Sequence, residues 1–422
     1  MRPSIKRPWG APPLTRRDFL ALTGGAVDLG WSHASVCYEA ASMSDGRPNT
    51  SSPSAHGVRL FLAGDVMLGR GIDQVLPHPS DPRLYEPSVS SAERYVALAE
   101  KANGPIPRPL SFSYVWGDAL DELRRAQPDA RIVNLETSVT KSDNYAPKGI
   151  NYRMSPGNVP CLTAAGIDCC VLANNHVFDW GQAGLLETLD TLTSAGTRTV
   201  GAGRNAAQAS APALLDAASP GRIVIFAFGA ETSGIPSDWA AGENEPGVNL
   251  LRDMSERTVD RIAAQTLKAK RAGYVLVASI HWGANWGYEI SGSQRRFAQG
   301  LIDAAGVDVV YGHSSHHPKG IEVYRQKLIL YGCGDFLNDY EGIGGYEEFR
   351  DDLTVMYLPF LSRSNGALLE LGMIPFQIRK FRLNRASRGD AVWLRDVLDR
   401  EGARLGTRVV LGEDNTLRLA WT

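Results

Sequence analysis

Five short apolar runs in this chain are each followed at once by side chains of the kind that bind metal ions. The runs are predicted to be β-strands because they are rich in aliphatic residues and are followed by turn-forming residues. The residues after them are, in chain order, Asp65, Glu136, Asn175 with His176, His281, and His313 with His316. In open α/β sheets, ligands bind beyond the carboxyl ends of the strands. The sequence therefore predicts a metal centre at a sheet edge.

The order of strand and helix patterns predicts an α/β fold with two sheets. Strands and helices alternate from Val58 to about residue 311, which indicates a mixed or parallel sheet with helices outside it. From about residue 320 the pattern changes to successive strands, which indicates a second, mostly antiparallel sheet over about 320–422. We therefore expect a single folded domain over 57–422, in which two sheets pack face to face between helix layers in an αββα sandwich.

The first 56 residues have the pattern of an export signal and a linker. Arg16-Arg17 is followed by Phe19-Leu20 and a short, mildly apolar stretch, which resembles a twin-arginine signal although Asp28 interrupts it. A Ser-, Pro- and Gly-rich stretch then leads to the first strand. We expect export to the periplasm or cell surface, and the alternative is a cytoplasmic tail. No later stretch has the ~20 consecutive apolar residues of a membrane helix.

Composition excludes several classes of function. Hydrophobic residues make up 43% and charged residues 21%, which is ordinary for a globular protein. The formal net charge is -2 and there is no long basic block, so nucleic acid is not expected as a partner. The five cysteines lack zinc-ribbon and thioredoxin spacing. Cys169 and Cys170 lie together in an apolar run and are expected to be buried.

Each metal-type residue has a simpler interpretation when it is taken alone. Asp65 could cap a helix, Glu136 could be a loop charge, and a single histidine at a strand end is more often structural. The convergence of several such residues on one sheet edge favours a metal site. Carboxylates and imidazoles together suit a first-row dication such as Mn, Fe or Zn. His317 is expected either to lie behind the metal ligands or to be exposed.

The other polar residues of these loops have candidate catalytic and binding roles. His176, next to Asn175, could donate a proton to a leaving group. Asp179 is interpreted as a helix cap in preference to a residue that orients His176. The cations Arg70, Lys148 and Arg153 could neutralise an anionic substrate, although a surface ion pair is nearly as good an interpretation of Arg70.

These motifs together resemble the CapA/PgsA family of poly-γ-glutamate capsule biosynthesis proteins. The motifs that carry the resemblance are Gly64-Asp65, Asn134-Leu135-Glu136, Asn174-Asn175-His176 with Asp179 and Gly181, His281-Trp282-Gly283, and Gly312-His313 with His316. That family is similar to calcineurin-like metallophosphoesterases. The resemblance therefore implies a two-sheet sandwich of the metallo-dependent phosphatase type, with a dinuclear metal centre at one sheet edge.

The resemblance also implies a role for each matched residue. The implied metal ligands are Asp65, Glu136 as the bridging carboxylate, Asn175, His281, His313 and His316. His176 is the implied acid. The chain departs from the family in three places: Ser314-Ser315 in the last loop, Asn285 where an acid is common, and Tyr331–Phe336 where Ser-Leu-Gly-Asn-Phe is usual.

The sequence thus predicts a metal-dependent hydrolase. One or two divalent cations would lower the pKa of a bound water, which attacks a phosphoester or amide bond. The resemblance implies work on a polyglutamate-type polymer, with a membrane capsule synthase as a partner. Two alternatives stay open. One is a non-catalytic polymer-binding or synthase-associated subunit with a structural or absent metal, and the other is a sugar- or nucleotide-directed phosphoesterase unrelated to any capsule.

Overall fold

The computed structural model describes residues 57–217 and 221–422, so the predicted signal and linker over 1–56 lie outside the described residues. The α-helices in the described residues are α1 (Arg70–Val75), α2 (Glu93–Asn103), α3 (Ala119–Ala126), α4 (Pro160–Ala164), α5 (Gly181–Ser194), α6 (Ala206–Ser210), α7 (Glu256–Ala269), α8 (Gly292–Asp303) and α9 (Arg388–Ala403). In this part of the chain, no helix has both the length and the apolar character needed to cross a bilayer.

The β-strands alternate with these helices over most of the chain and then follow one another closely. They are β1 (Gly57–Val66), β2 (Ala130–Leu135), β3 (Ser138–Val139), β4 (Arg153–Met154), β5 (Cys169–Val171), β6 (Arg198–Val200), β7 (Ala202–Gly203), β8 (Ala213–Asp216), β9 (Arg222–Ala230), β10 (Gly247–Val248), β11 (Leu250–Leu251), β12 (Val275–His281), β13 (Val309–His313), β14 (Ile321–Tyr324), β15 (Lys327–Leu330), β16 (Asp335–Leu337), β17 (Leu353–Ser362), β18 (Leu368–Ile378), β19 (Leu383–Arg385), β20 (Thr407–Leu411) and β21 (Leu417–Trp421).

Two large sheets organise these strands. The first has the order β20-β21-β18-β17-β1-β2-β5-β6, with β16 joined to β1 and β19 joined to β18. Its β1, β2, β5 and β6 are parallel, and β17, β18, β20 and β21 continue it as an antiparallel half. The second sheet has the order β11-β9-β12-β13-β15-β14, with β8 paired to β9. Its centre, from β9 to β15, is parallel.

The division of strands between the sheets differs from the sequence prediction. The late strands β17–β21 do not form a separate sheet over about 320–422, because β17 pairs directly with β1 and extends the first sheet. The second sheet is built instead on β9, β12 and β13, which the prediction assigned to the first. Strands β14 and β15 form an antiparallel hairpin, with Arg325 and Gln326 at positive φ in its turn. Apolar periodicity shows that a strand is buried but not which strand it pairs with.

The apolar side chains form three layers of core, which establishes the αββα sandwich. On β1, Leu60 and Leu62 face the second sheet, whereas Phe61 and Ala63 face the helices outside the first sheet. The core between the sheets also contains aliphatic residues of β9 and β12, such as Ile225. Helices α1–α5 cover the outer face of the first sheet, and α7 and α8 cover the outer face of the second. Both sheets are therefore buried on two sides, which explains their nearly continuous apolar runs.

Strand register brings the polar ends of the strands together. In the parallel pair of β12 and β13, His281 lies opposite His313. In the first sheet, Asp65 lies opposite Asn134 of β2 and Asp335 of β16. Since parallel strands end at the same edge, these five polar side chains meet at the carboxyl edge of the sandwich.

Candidate metal centre

Three residues from three different strand ends form a compact, buried group that could hold a metal ion. Asp65, Glu136 and His281 each offer one ligand atom, and these atoms all lie within 4.8 Å of one another. Nε2 of His281 lies 3.6 Å from Oε1 of Glu136. None of the three side chains is more than 3% exposed. Two carboxylates and an imidazole at this separation match the ligand chemistry of a first-row dication.

Asn175 and His313 lie directly beside this group. Oδ1 of Asn175 lies 3.1 Å from Nε2 of His281. On the other side, Nδ1 of His313 lies 3.6 Å from Oδ1 of Asp65, and its Nε2 contacts the hydroxyl of Ser279 at 2.7 Å. The Nδ1 atom of His313 is buried and has no hydrogen-bond partner in the described residues. A buried lone pair costs free energy unless it is bonded, so this atom fits a ligand to a cation next to Asp65.

His316 lies next to the group through Asp335. Its Nδ1 lies 2.9 Å from Oδ1 of Asp335, and its Nε2 lies 3.0 Å from the side-chain nitrogen of Asn285. Burial lowers the pKa of His316, but the Asp335 carboxylate outweighs burial and raises the pKa above its ordinary value. Asp335 is 3% exposed and also accepts a hydrogen bond from Asn338 at 2.8 Å. Both nitrogens of His316 are therefore engaged by side chains of the protein.

Burial shifts the pKa values of the three residues of this group toward their uncharged forms. Burial, assisted by Asp335, raises the pKa of Asp65 to about 7. Burial and the Asp65 carboxylate raise the pKa of Glu136 well above its ordinary value. Burial, with the neighbouring His313, lowers the pKa of His281 far below its ordinary value. A bound divalent cation favours the deprotonated form of every ligand. It would therefore stabilise the ionised carboxylates of Asp65 and Glu136 and the neutral imidazole of His281.

His176 lies beside the group and is held by Asp179. Its Nδ1 lies 2.7 Å from Oδ2 of Asp179 and 3.3 Å from Nζ of Lys148. Because the nearer carboxylate oxygen can only accept, the neutral ring is assigned its proton on Nδ1, which leaves Nε2 as the acceptor nitrogen. The ring of Tyr152 stacks on the imidazole at 3.8 Å, and the Tyr152 amide donates to the same Asp179 oxygen at 2.6 Å. Burial lowers the pKa of His176 to about 4, although Asp179 acts in the opposite direction.

The preferred interpretation of Asp179 as a helix cap is wrong. Helix α5 begins at Gly181 after Trp180 and has no side-chain cap. Asp179 is fully buried and instead binds His176 and Lys148, whose Nζ lies 2.7 Å from Oδ1 of Asp179. The loop between β5 and α5 turns the Asp179 side chain inward, toward the sheet edge. The sequence spacing of three residues between His176 and Asp179 does not predict this direction.

A cavity of about 480 Å³ opens next to the group formed by Asp65, Glu136 and His281. Glu136, Asn175, His176 and His316 line its inner end. A pocket of this size that contains a few polar groups among aromatic walls is typical of a small-molecule site.

The structure separates the three cations that were candidates for substrate binding. Arg70 and Lys148 line the cavity, but each is already paired with carboxylates. Arg70 donates to both oxygens of Asp339, at 2.5 and 3.2 Å, and to Glu86 at 3.0 Å. Arg153 is not among the residues that line the cavity, because its guanidinium donates to Asp143 and two backbone carbonyls.

Two residues that matter to this site, Asn134 and Asp335, were given no role from the sequence. Asn134 donates to Asp65 at 2.6 Å and thereby fixes the orientation of that carboxylate. Asp335 adds a carboxylate next to His316, and its only signal was the departure from the Asn of the family motif. His317 is fully buried against the ring of Phe349 at 4.7 Å and is not exposed.

Comparison with known proteins identifies the family. The sequence profile of the family described as bacterial capsule synthesis protein PGA_cap matches residues 59–340, which is more than half of the chain and includes every candidate metal ligand. The chain belongs to this capsule synthesis family. A Mycobacterium tuberculosis protein named as a probable polyglutamine synthesis accessory protein is 47% identical over 364 residues, which cover 86% of this chain and 96% of that protein.

More distant members of the capsule synthesis family are also similar. The PGA biosynthesis protein CapA of Bacillus subtilis is 30% identical over 298 residues, which cover 70% of this chain and 66% of that protein.

A solved structure described as a novel phosphatase of Mycoplasma pneumoniae superimposes with a TM-score of 0.39 and 12% identity, covering 76% of this chain and 94% of that one. A likeness at that level carries no argument, so the fold assignment rests on the sheets and core layers described above.

Proposed function

We propose that this protein is a metal-dependent hydrolase that cleaves a phosphoester during the synthesis of a capsule-type polymer. The observation that carries the proposal is the buried group of Asp65, Glu136 and His281, which lies between the unpartnered Nδ1 of His313 and the cavity that contains His176. The candidate ligands of such a cation are Asp65, Glu136, Asn175, His281 and His313, and His316 would join them only if its Nε2 released Asn285. A divalent cation held there would lower the pKa of water and neutralise developing phosphoryl charge.

The chain's own residues would position the substrate and move a proton. His176 presents Nε2 to the cavity because Asp179 holds Nδ1 and Tyr152 stacks on the ring. An anionic substrate beside Nε2 would favour the protonated imidazole, since a nearby negative charge raises the pKa of histidine. His176 could then donate that proton to the leaving oxygen. Arg70 and Lys148 add positive charge to the cavity wall, but their partner carboxylates offset it.

The cellular setting is part of the same proposal. The names of the relatives connect those proteins with polyglutamine and PGA synthesis, which supports a partnership with a polymer synthase at the membrane. The paired arginines at 16 and 17 support action outside the cytoplasm. An anionic phosphoester that serves as a precursor of such a polymer would be the substrate.

Metal content and turnover together test the proposal. Wild type, His176→Ala and the double variant Asp65→Ala/His281→Ala would be purified and analysed for Mn, Fe and Zn. Each would then be assayed on a generic phosphodiester and on a γ-glutamyl polymer. We expect near-stoichiometric metal in wild type and His176→Ala, little metal in the double variant, and turnover of the phosphodiester by wild type alone.

Two outcomes would contradict this assignment in different ways. If His176→Ala loses metal as completely as the double variant, then His176 is a ligand and not a proton donor. If wild type neither contains nor takes up metal on titration, the hydrolase proposal fails. The protein would then be better explained as a non-catalytic subunit that binds the polymer or its synthase.

A further inference from the structure

The outer end of the cavity is apolar, in contrast to its polar inner end. Three of its lining residues, Ile150, Ile343 and Tyr346, are large hydrophobic side chains that are 44%, 41% and 42% exposed. They lie on two separate loops, before β4 and after β16. Large apolar side chains that stay exposed around one opening indicate a surface that a ligand covers.

Tyr346 is held flat at this opening. Its ring stacks on Trp286, with ring centroids 3.9 Å apart and planes 5° from parallel. Trp286 is packed in turn against Phe349 at 5.4 Å and His316 at 5.2 Å. Trp286 covers one face of Tyr346, while much of the side chain stays open to solvent. We call Tyr346 and Trp286 the aromatic platform.

The charges of the cavity do not fit a chain of carboxylates. The lining contains two cations, Arg70 and Lys148, and two acids, Glu136 and Asp351. Both cations are already paired, Arg70 with Asp339 and Glu86 and Lys148 with Asp179. Among the described lining residues, no cation is left to pair with the many carboxylates of a polyglutamate. A single phosphoryl group at the metal centre would not need such a cation.

The two ends of the cavity therefore suit a ligand with two unlike ends. The platform is connected to the metal side by ring contacts from Tyr346 to Trp286 and from Trp286 to His316. Sugar rings and nucleobases have a flat or apolar face that packs on aromatic side chains, whereas a γ-glutamyl chain has none.

We propose that the substrate is a phosphoester of a ring-bearing alcohol, such as a sugar or nucleoside phosphate, whose ring packs on Tyr346 while its phosphoryl group lies at the metal centre. This inference rests on the proposed function for its reaction but not for its binding mode. In the reaction, a water oxygen bonds to phosphorus and the phosphorus–oxygen bond to the alcohol breaks. The leaving alcohol takes up one proton.

Binding of two phosphonates by the full chain, loaded with its metal, tests the platform. Benzylphosphonate carries a ring and propylphosphonate does not, and neither can be hydrolysed, so calorimetry reports affinity alone. We expect wild type to bind benzylphosphonate about fivefold more tightly than propylphosphonate, the size expected of one aromatic contact. Tyr346→Ala should remove this preference, and Tyr346→Phe should keep it.

Tyr145 provides a matched control. It is 41% exposed and stacks on Tyr85 at 3.7 Å and 7°, much as Tyr346 stacks on Trp286, but it does not line the cavity. Tyr145→Ala should therefore bind both phosphonates as wild type does. The proposed binding mode is overturned if wild type binds the two phosphonates equally, if it binds neither, or if Tyr346→Ala keeps the preference for benzylphosphonate.

Turnover of benzyl phosphate and propyl phosphate separates this inference from the proposed function. Hydrolysis of both esters without a ring preference in binding would overturn the proposed ring binding at Tyr346 but would support the hydrolase activity. A ring preference that depends on Tyr346, without hydrolysis of either ester, would support the platform and count against the hydrolase. Glucose 1-phosphate and adenosine 5′-monophosphate would then distinguish a sugar ring from a nucleobase.

Discussion

At the scale of single residues, the contact of Asp179 with His176 shows how a buried charge is used to fix a ring. The carboxylate is fully buried, and it accepts from the Tyr152 amide while pairing with both His176 and Lys148. A carboxylate so enclosed is held in one orientation, and it holds the imidazole in one tautomer. Asp179 is thus a positioning residue for the proposed proton donor.

Asp179→Asn should reduce turnover while leaving the metal in place. The amide has the size of the carboxylate but can no longer stabilise a protonated His176, so we expect kcat/KM to fall by on the order of 10²-fold. The pH profile should also move to lower pH. Asp179 raises the pKa of His176 against the effect of burial, so the loss of its charge would lower that pKa. Steady-state kinetics across pH and elemental analysis would measure both effects. Asp190→Asn, on the exposed face of α5, is the control, and equal effects of the two variants would refute the role.

At the scale of elements, the approach of β1 to β16 places Asp65 at the sheet edge. A Cβ on Gly64 would lie 1.7 Å from the carbonyl oxygen of Gly334, which accepts from the Asp65 amide at 2.9 Å. Only glycine at residue 64 lets the two strands come this close. The position of the Asp65 carboxylate therefore depends on the glycine at residue 64.

Gly64→Ala should destabilise the protein and disturb the metal centre together. Separating β1 from β16 is an overpacking effect, so we expect the free energy of unfolding to fall by about 3 kcal/mol, with weaker metal binding. Urea denaturation and metal titration would measure the two. Gly372→Ala is the matched control on β18, because a Cβ there meets nothing closer than 4.0 Å. Similar losses in both variants would rule out the steric explanation.

The start of β17 is connected to its neighbours by a cluster of charges. Asp352 accepts from Arg350 at 2.7 Å and from Gln377 of β18 at 2.8 Å, and Arg350 also donates to Asp390 of α9 at 2.8 Å. Burial alone would raise the pKa of Asp352, but these hydrogen bonds outweigh burial and hold the pKa below its ordinary value of 3.8.

Asp352→Asn should lower stability at neutral pH but not in acid. Because the folded-state pKa is depressed, the ionised carboxylate contributes stability above the unfolded-state pKa and loses it as pH falls through the folded one. Asp352 is partly exposed, so we expect a cost of about 1 kcal/mol at pH 7. Denaturant unfolding of the variant and wild type at pH 7 and pH 3 would measure it. A difference that is the same at both pH values would contradict the charge explanation.

At the scale of the whole molecule, the candidate metal centre is built from both sheets, and Tyr311 connects them beneath it. Tyr311 lies on β13, fully buried, and its hydroxyl bonds to the backbone carbonyl of Ala63 and accepts from the Ala63 amide at 3.2 Å. The pairing of β1 with β2 shifts register between Ala63 and Asp65. The hydroxyl thus bonds to backbone groups of β1 beside an irregularity in its pairing with β2.

Tyr311→Phe should loosen the two sheets at this point. The lost hydroxyl leaves Ala63 groups buried with fewer partners, so we expect a loss of about 1–3 kcal/mol in the free energy of unfolding. Metal affinity should weaken too, because Asp65 and His313 lie on the two strands that Tyr311 joins. Tyr357→Phe is the control, since its hydroxyl makes only a 3.4 Å contact with the Cys333 carbonyl. An unchanged melting temperature in Tyr311→Phe would contradict the role.

The sequence by itself determined the elements, the αββα class and the polar residues that end the strands. Periodicity is a local property, so the alternation of strands and helices up to about residue 311 and the succession of strands after about residue 320 were predicted. The motifs around Asp65, Glu136, Asn175, His281 and His313 were equally local, and the structure brings all of them to one edge.

Only the tertiary structure decided how these elements combine. Strands that are buried on both faces have the same apolar pattern whichever sheet they join, so the sequence could not place β17 beside β1. The direction of the Asp179 side chain, the pairing of Arg70 with Asp339, and the stacking of Tyr346 on Trp286 also join residues that periodicity does not relate. Such contacts depend on where the chain returns in space, and that is set by the packing of the whole core.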